Sequence, residues 1–145
     1  MTTFFQKTVS LKGKRRGCHL ITRSVLDVIS TDISRIRIGM LNLFLQHTSC
    51  ALSINENACS DVQRDLGKEL DRLMPDEHLL PRFEHTYEGS DDMSSHCKSS
   101  VVGVSLSIPI NNGRLLLGQW QGIYFIECRD DPTTRNIVCT IYGNT

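Results

Sequence analysis

The sequence has no net charge, few prolines and no paired cysteine motif, and each absence removes a class of protein. Sixteen basic residues balance sixteen acidic ones, so the chain lacks the electrostatic footprint of a dedicated nucleic-acid or anionic-membrane binder. No run approaches a membrane span, and Met1-Thr2-Thr3-Phe4-Phe5-Gln6-Lys7 has no apolar signal segment. The six cysteines, at 18, 50, 59, 97, 128 and 139, form no Cys-x-x-Cys pair and match no zinc-ribbon spacing. They read as small core residues in a reducing compartment, and the expected localisation is cytoplasmic. Neither a Gly-x-x-x-x-Gly-Lys loop nor a Gly-x-Gly-x-x-Gly fingerprint occurs, which excludes P-loop and dinucleotide chemistry of the usual kind.

What is present suits one compact domain spanning residues 1–145, because a chain of this length with 39% hydrophobic residues can bury a sizeable core without staples. Residues 3–11 alternate as a strand, and residues 18–21 are expected to pair back on them across a hairpin turn at Lys12-Gly13-Lys14-Arg15-Arg16. A phosphate-backbone contact or an import signal is the alternative use of that basic turn. Thr22 can cap a short helix ending near Ser30, with Thr31-Asp32 as its break. The dense apolar run Ile36 to Gln46 is expected to be a central strand. Ala58, Val62, Leu66, Leu70 and Leu73 make one helical stripe, with Asn55 or Asn57 as cap and Pro75 as stop. Further strands are expected at 101–108, 114–117, 123–128 and 137–141. The run Ile123 to Ile126 is apolar on both faces and calls for cover on both sides, by a helix and by another subunit.

Two polar stretches carry the chemistry. His47-Thr48-Ser49 ends the central strand shortly before the expected helix start, a place that favours an anion. Glu84 to His96 gathers four carboxylates and two imidazoles into thirteen residues with no apolar periodicity, and reads as a loop. Carboxylate oxygens and imidazole nitrogens are ligands that divalent cations prefer, whereas a solvated acidic turn is the plain alternative. His47, His85 and His96 are expected to converge with at least one of Glu88, Asp91 and Asp92 on a zinc or magnesium ion. Trp120, flanked by Gly118 and Gly122, is expected to be a partly buried wall for a ring-shaped ligand, or else a core anchor.

The segments His47-Thr48-Ser49, Ile54-Asn55-Glu56-Asn57, Glu88-Gly89-Ser90-Asp91-Asp92-Met93-x-x-His96-x-Lys98, Gly103-x-Ser105-Leu106-x-Ile108-Pro109-Ile110 and Gly113-Arg114-Leu115-x-Leu117-Gly118-x-Trp120-Gln121-Gly122-Ile123-Tyr124 together resemble the YjbQ family, uncharacterised protein family 0047. The resemblance implies a small α+β fold, a β-sheet core with a few packed helices, assembling as a homotrimer. It also implies a secondary thiamine-phosphate synthase activity, joining a pyrimidine-methyl diphosphate to a thiazole phosphate with release of pyrophosphate. Thr86, Ser94-Ser95 and Cys50 depart from the family's usual residues.

For such chemistry on a small phosphorylated metabolite, the expected catalytic groups are His47, Glu88, Asp91 and Arg114. Thr48, Ser49, Lys98 and Arg114 would hold phosphate; His47, His85, His96, Asp91 and Asp92 would hold the metal; Trp120 and Gln121 would wall the pocket. The rival readings are a non-catalytic trimeric metal- or anion-binding protein and a metal-assisted hydrolase of a phosphorylated metabolite.

Overall fold

The computed structural model describes residues 1–79, 82–131 and 133–145. In chain order the elements are β1 (Thr2–Leu11), β2 (Gly17–Leu20), α1 (Thr22–Ile33), β3 (Ile38–Leu45), β4 (Cys50–Glu56), α2 (Ser60–Leu73), α3 (Asp92–Val102), β5 (Ser105–Asn111), β6 (Arg114–Leu115), β7 (Gln121–Glu127) and β8 (Arg135–Asn144). The fold is α+β. A five-stranded antiparallel sheet, ordered β1-β8-β3-β5-β6, packs against a three-stranded antiparallel sheet, ordered β2-β7-β4. As the apolar run suggested, β3 is the central strand.

Period-two alternation sends Val9, Leu11, Leu41, Leu43, Leu45, Ile108, Ile110, Ile137, Cys139 and Ile141 into a core shared with Val25 and Ile29 of α1 and with Leu52, Ile123 and Phe125 of the smaller sheet. The opposite face of the smaller sheet carries Ala51, Tyr124 and Ile126, covered by Leu66 and Leu70 of α2 and Val102 of α3. Both faces of β7 are therefore covered within one chain, and the second subunit expected over Ile123 to Ile126 is not needed there. The uncovered apolar face is elsewhere: Phe4, Ile38, Phe44 and Tyr142 project from the outer face of the five-stranded sheet and are exposed.

Several sequence expectations are corrected. β1 and β2 do not form a hairpin, because β1 pairs with β8 and β2 with β7, in different sheets. The basic segment between them is a crossover, and Arg16 explains its course: its guanidinium reaches Asp76 at 2.8 Å and Asp71 at 2.7 Å. α1 runs through Thr31 and Asp32 to Ile33, since Ile33 is buried and Asp32 pairs with Lys7 at 2.7 Å. Thr22 does not cap it; its hydroxyl instead accepts a hydrogen bond from the Ile123 N–H at 2.9 Å. Neither Asn55 nor Asn57 caps α2, whose N-cap position is Cys59 with no side-chain cap; the Glu56 carboxylate instead accepts from the N–H groups of Ala58 and Cys59 just ahead of the helix.

The largest correction concerns residues 92–102, expected as a loop running into a strand and found as α3. The helix buries a polar face of Asp92, Ser94, Ser95, Lys98 and Ser99 while Val101 is exposed, so hydrophobic periodicity carries no sign of it. Gly103 ends the helix at φ 102°, a conformation that permits the reversal into β5. Lys98, expected to hold phosphate, is only 2% exposed at its side chain and donates to Asp71 at 2.6 Å. Ser94 donates to Asp76 at 2.8 Å, so Arg16, Asp71, Asp76, Ser94 and Lys98 form one network between α3, α2 and the crossover, buried at Asp76, Ser94 and Lys98 and half exposed at Asp71.

Burial alone would raise the Asp76 carboxyl, but hydrogen bonds from Arg16 and Ser94 and the charges of Arg16 and Lys98 together hold it below its ordinary 3.8. A depressed folded value contributes stability that is full above the unfolded pKa and is lost as pH falls through the folded one. The urea midpoint of the wild type should therefore fall on acidification below about pH 4, and Asp76→Asn should show a shallower fall over the same range. Removing the cation in Arg16→Met leaves the buried Asp76 without its ion-pair partner, while Asp71 keeps Lys98, and should cost about 3 kcal/mol, seen as a lower midpoint with an unchanged denaturant slope.

Candidate functional site

The site forms where the first turn of α3, the preceding segment 85–89 and the corner between β3 and β4 meet. Asp92 and His96 lie one helical turn apart on the same face of α3. The Asp92 Oδ2 atom is 3.1 Å from His96 Nε2 and 2.8 Å from His85 Nε2, and the latter nitrogen is 3.0 Å from Glu88 Oε2. One ligand atom from each of His85, Glu88, Asp92 and His96 lies within 4.8 Å of every other. The two imidazole rings are 5.8 Å apart at their centroids, and Tyr87 packs edge-on to His85.

Proton bookkeeping defines what this cluster needs. His96 Nδ1 is 2.9 Å from the Thr48 carbonyl oxygen, which can only accept, so the ring proton sits on Nδ1. A neutral His96 then points the lone pair of Nε2 at the Asp92 carboxylate. Two electron-rich atoms at that separation repel unless a proton or a cation lies between them. The donor set answers to a metal as well: tetrahedral zinc with bonds of about 2.0–2.1 Å spaces its ligands by roughly 3.3 Å, close to the separations seen here.

Asp92 is held on its other oxygen. Its Oδ1 accepts from Arg129 Nη1, while Arg129 Nε donates to Asp91 Oδ2 at 3.1 Å and Nη2 to the Glu88 carbonyl at 2.9 Å. Burial by itself would raise the Asp92 carboxyl; the His85 hydrogen bond and the Arg129 charge work against it, and Asp92 lies below the ordinary carboxylate value.

The expected residues are thus divided. His85, Glu88, Asp92 and His96 come together. Asp91 turns away from the cluster, accepting from Arg129 and from the Asp130 N–H at 2.9 Å. His47 is not among the clustered ligands: its Nε2 accepts from the Asn136 N–H at 3.1 Å. Burial chiefly, with the Arg135 charge, pushes the His47 ring below its ordinary 6.5 despite the opposing Glu127 carboxylate. It is a neutral ring, and with Nε2 accepting, its proton is on Nδ1. The expected anion site at a helix start does not form at His47-Thr48-Ser49, because β4 intervenes before α2.

These corner residues instead face α3. An open cleft of about 730 Å³ adjoins the cluster and is lined by Phe44, His47, Thr48, His96, Ser99 and Val104 among others. Ser49 is buried beside His96, its hydroxyl 3.5 Å from the ring. Cys50 is buried, as expected of a small core residue, and burial chiefly pushes its thiol up to about 12.

Arg114, Trp120 and Gln121 lie apart. The register runs from Cys50 opposite Glu127 at the site end to Glu56 opposite Gln121 at the other, a separation of roughly 20 Å at about 3.3 Å per residue. Trp120 is 60% exposed there, so it is neither a partly buried wall beside the cluster nor a core anchor. Arg114 pairs opposite Asn111, at the end of β5 that faces Ile38 rather than the His47 end of β3. Sequence reasoning missed the Thr48 carbonyl, a backbone group that leaves no signal. Arg129, an arginine at a strand end and so suited to an ion pair, is paired here with Asp91 and Asp92.

Comparison with known proteins agrees with this architecture. The family model described as UPF0047 protein YjbQ-like matches residues 7–144. UPF0047 protein YjbQ of Escherichia coli O157:H7 is 44% identical over 140 residues, 97% of this chain and 99% of that protein. UPF0047 protein YugU of Bacillus subtilis is 38% identical over 138 residues, covering 94% and 98%. A crystal structure from Clostridium acetobutylicum, described as a conserved protein of the YjbQ/UPF0047 family, superposes with a TM-score of 0.77 at 36% identity, covering 91% of this chain and 97% of that one. A Sulfolobus solfataricus structure superposes at 0.86 over 99% of this chain with 19% identity, a likeness of fold. The chain belongs to the UPF0047, YjbQ-like family.

Proposed function

We propose that the chain carries one divalent ion on His85, His96 and Asp92, with Glu88 completing the set, and uses it to hydrolyse a small phosphorylated metabolite. The convergence of four donor atoms within 4.8 Å carries this reading. Two imidazole nitrogens favour zinc over magnesium, which prefers an oxygen shell. Bound there, the ion would polarise a phosphoryl oxygen and acidify a coordinated water. Glu88 is 58% exposed at its side chain and is the ligand most free to step aside and accept a proton. His47, neutral with its proton on Nδ1, offers a donor to substrate in the cleft, and Thr48 adds a hydroxyl.

Thiamine-phosphate synthesis has less support, because a departing diphosphate calls for cations. Lys98 is spent on Asp71 in the interior, and Arg114 lies at the other end of the fold. A non-catalytic metal-binding protein would use the same four ligands and differs only in turnover.

The homotrimer is retained as a proposal on a new footing: the apolar outer face of the five-stranded sheet, where Phe4, Ile38, Phe44 and Tyr142 are exposed, would be covered by further copies of this chain. The absence of net charge leaves little repulsion between copies. Among the described residues no helix is long and apolar enough to cross a membrane.

Zinc analysis of protein reconstituted and dialysed should give one ion per wild-type chain and none above background for the His85→Ala, His96→Ala double variant; equal content in both would refute the centre. With zinc bound, the wild type should release phosphate from a panel of small phosphate monoesters, and the double variant should not. Light scattering should show a trimer for wild type and smaller species for Phe44→Glu with Tyr142→Glu, whereas a stable wild-type monomer at micromolar concentration would end the trimer proposal.

A further inference from the structure

Arg129 is not one of the four clustered donors, yet two nitrogens of its guanidinium are committed to residues that are, Asp92 and Glu88, and the third to Asp91. Nη1 donates to Asp92 Oδ1, the oxygen turned away from the histidines, so the carboxylate is fixed with Oδ2 facing His85 and His96. Nη2 donates to the Glu88 carbonyl at 2.9 Å, which pins the backbone of the segment that brings in the exposed fourth ligand. Nε donates to Asp91 at 3.1 Å, and Asp91 in turn accepts from the Asp130 N–H at 2.9 Å, so the guanidinium is itself held against rotation. The Arg129 N–H donates to the buried Glu127 carboxylate at 3.2 Å, which anchors the backbone where β7 ends.

We infer that Arg129, oriented by Asp91, is the positioning residue of this centre: it fixes Asp92 and the Glu88 segment in the geometry that binds the ion. The inference rests on the metal reading above and deepens it. It reassigns Asp91, expected from sequence to be a ligand, to the outer layer that aims a ligand. Chemistry gives the reason for an arginine here. Its planar fork offers three donor directions fixed with respect to one another, whereas a lysine ammonium on a flexible stem would neutralise Asp92 without setting its orientation. A carboxylate that is buried and shared between a guanidinium and two imidazoles cannot swing to solvent, so the site is arranged before the ion arrives. Gly89 fits the same picture: its φ of 108° is a conformation in which a side chain is strained, and a Cβ there would crowd Asp91 Oδ1 at 3.1 Å.

The test is metal affinity, measured by competition against a chromophoric chelator with zinc, and the visible spectrum of the protein loaded with cobalt(II) as a report on coordination geometry. Arg129→Met should bind zinc roughly 10- to 100-fold more weakly than wild type, with altered cobalt bands. Arg129→Lys should fall between, because charge is kept and the fork is lost. Asp91→Asn should weaken binding less than Arg129→Met, and thermal unfolding in chelator tracks the fold of each variant separately. If Arg129→Met does not fold, the ordering wild type, Asp91→Asn, Arg129→Lys decides the matter alone. Wild-type affinity and wild-type cobalt bands in Arg129→Lys and in every other folded variant would overturn the inference while leaving the metal reading intact. Failure of the wild type itself to bind zinc better than the His85→Ala, His96→Ala double variant would overturn both.

Discussion

The buried carboxylate of Asp92 is the constraint around which this end of the molecule is arranged. A charge at that depth is costly unless it is paired and hydrogen-bonded. Asp92 meets the requirement from both sides, with Arg129 on one oxygen and His85 and His96 on the other. Satisfying it fixes three separate pieces of chain: the first turn of α3, the end of β7 and the segment 85–89. The acidic residue also sits in the first helical turn, where the helix dipole favours negative charge.

α3 separates two charge systems. One flank carries Asp92 and His96 toward the cleft. The other carries Ser94 and Lys98 into the network with Asp76, Asp71 and Arg16, facing α2. A helix that buries polar residues on both flanks gains little from hydrophobic burial and is held by specific pairing, which makes its position sensitive to single substitutions. That rigidity suits a site: the same pairing that keeps α3 in register keeps Asp92 and His96 at fixed spacing. The chain's balance of sixteen cations and sixteen anions is in part spent here, on interior pairs rather than on a charged surface.

The features legible in the sequence were those carried by hydrophobic period. β3, α2, β7 and β8 announce themselves by alternation or by a three-to-four stripe, and the family motifs name the fold directly. α3 was illegible because its buried face is Asp92, Ser94, Ser95, Lys98 and Ser99, an inversion of the usual rule. The hairpin expectation failed for a related reason: two adjacent strands with a basic turn between them look paired, whereas pairing with β8 and β7 and the ion pairs of Arg16 with Asp71 and Asp76 are tertiary. At the site, His85, Glu88, Asp92 and His96 were recognisable as ligand types close in sequence. Which of Asp91 and Asp92 faces the histidines was not, since adjacent helical residues differ by about 100° in direction and the helix itself was unseen.

The charges around the cleft narrow the chemistry further. Its lining holds hydroxyls, a neutral His47, and apolar walls from Phe44 and Val104, with no lysine or arginine. The nearby guanidiniums are already committed, Arg135 to Glu127 at 2.8 Å and Arg129 to Asp91 and Asp92. A phosphate entering this cleft would therefore meet no side-chain cation in the lining, and at His96 it would approach a cluster that holds two carboxylates, Glu88 and Asp92. In the proposed reading an ion on the four-donor cluster would reverse the sign of that encounter, and phosphate binding would then depend on metal binding. A single phosphoryl group on such an ion would satisfy this arrangement. A diphosphate leaving group, with more charge to neutralise and further to reach, does not, and that difference in demand is what sets hydrolysis of a monoester above synthesis as the reading of the site.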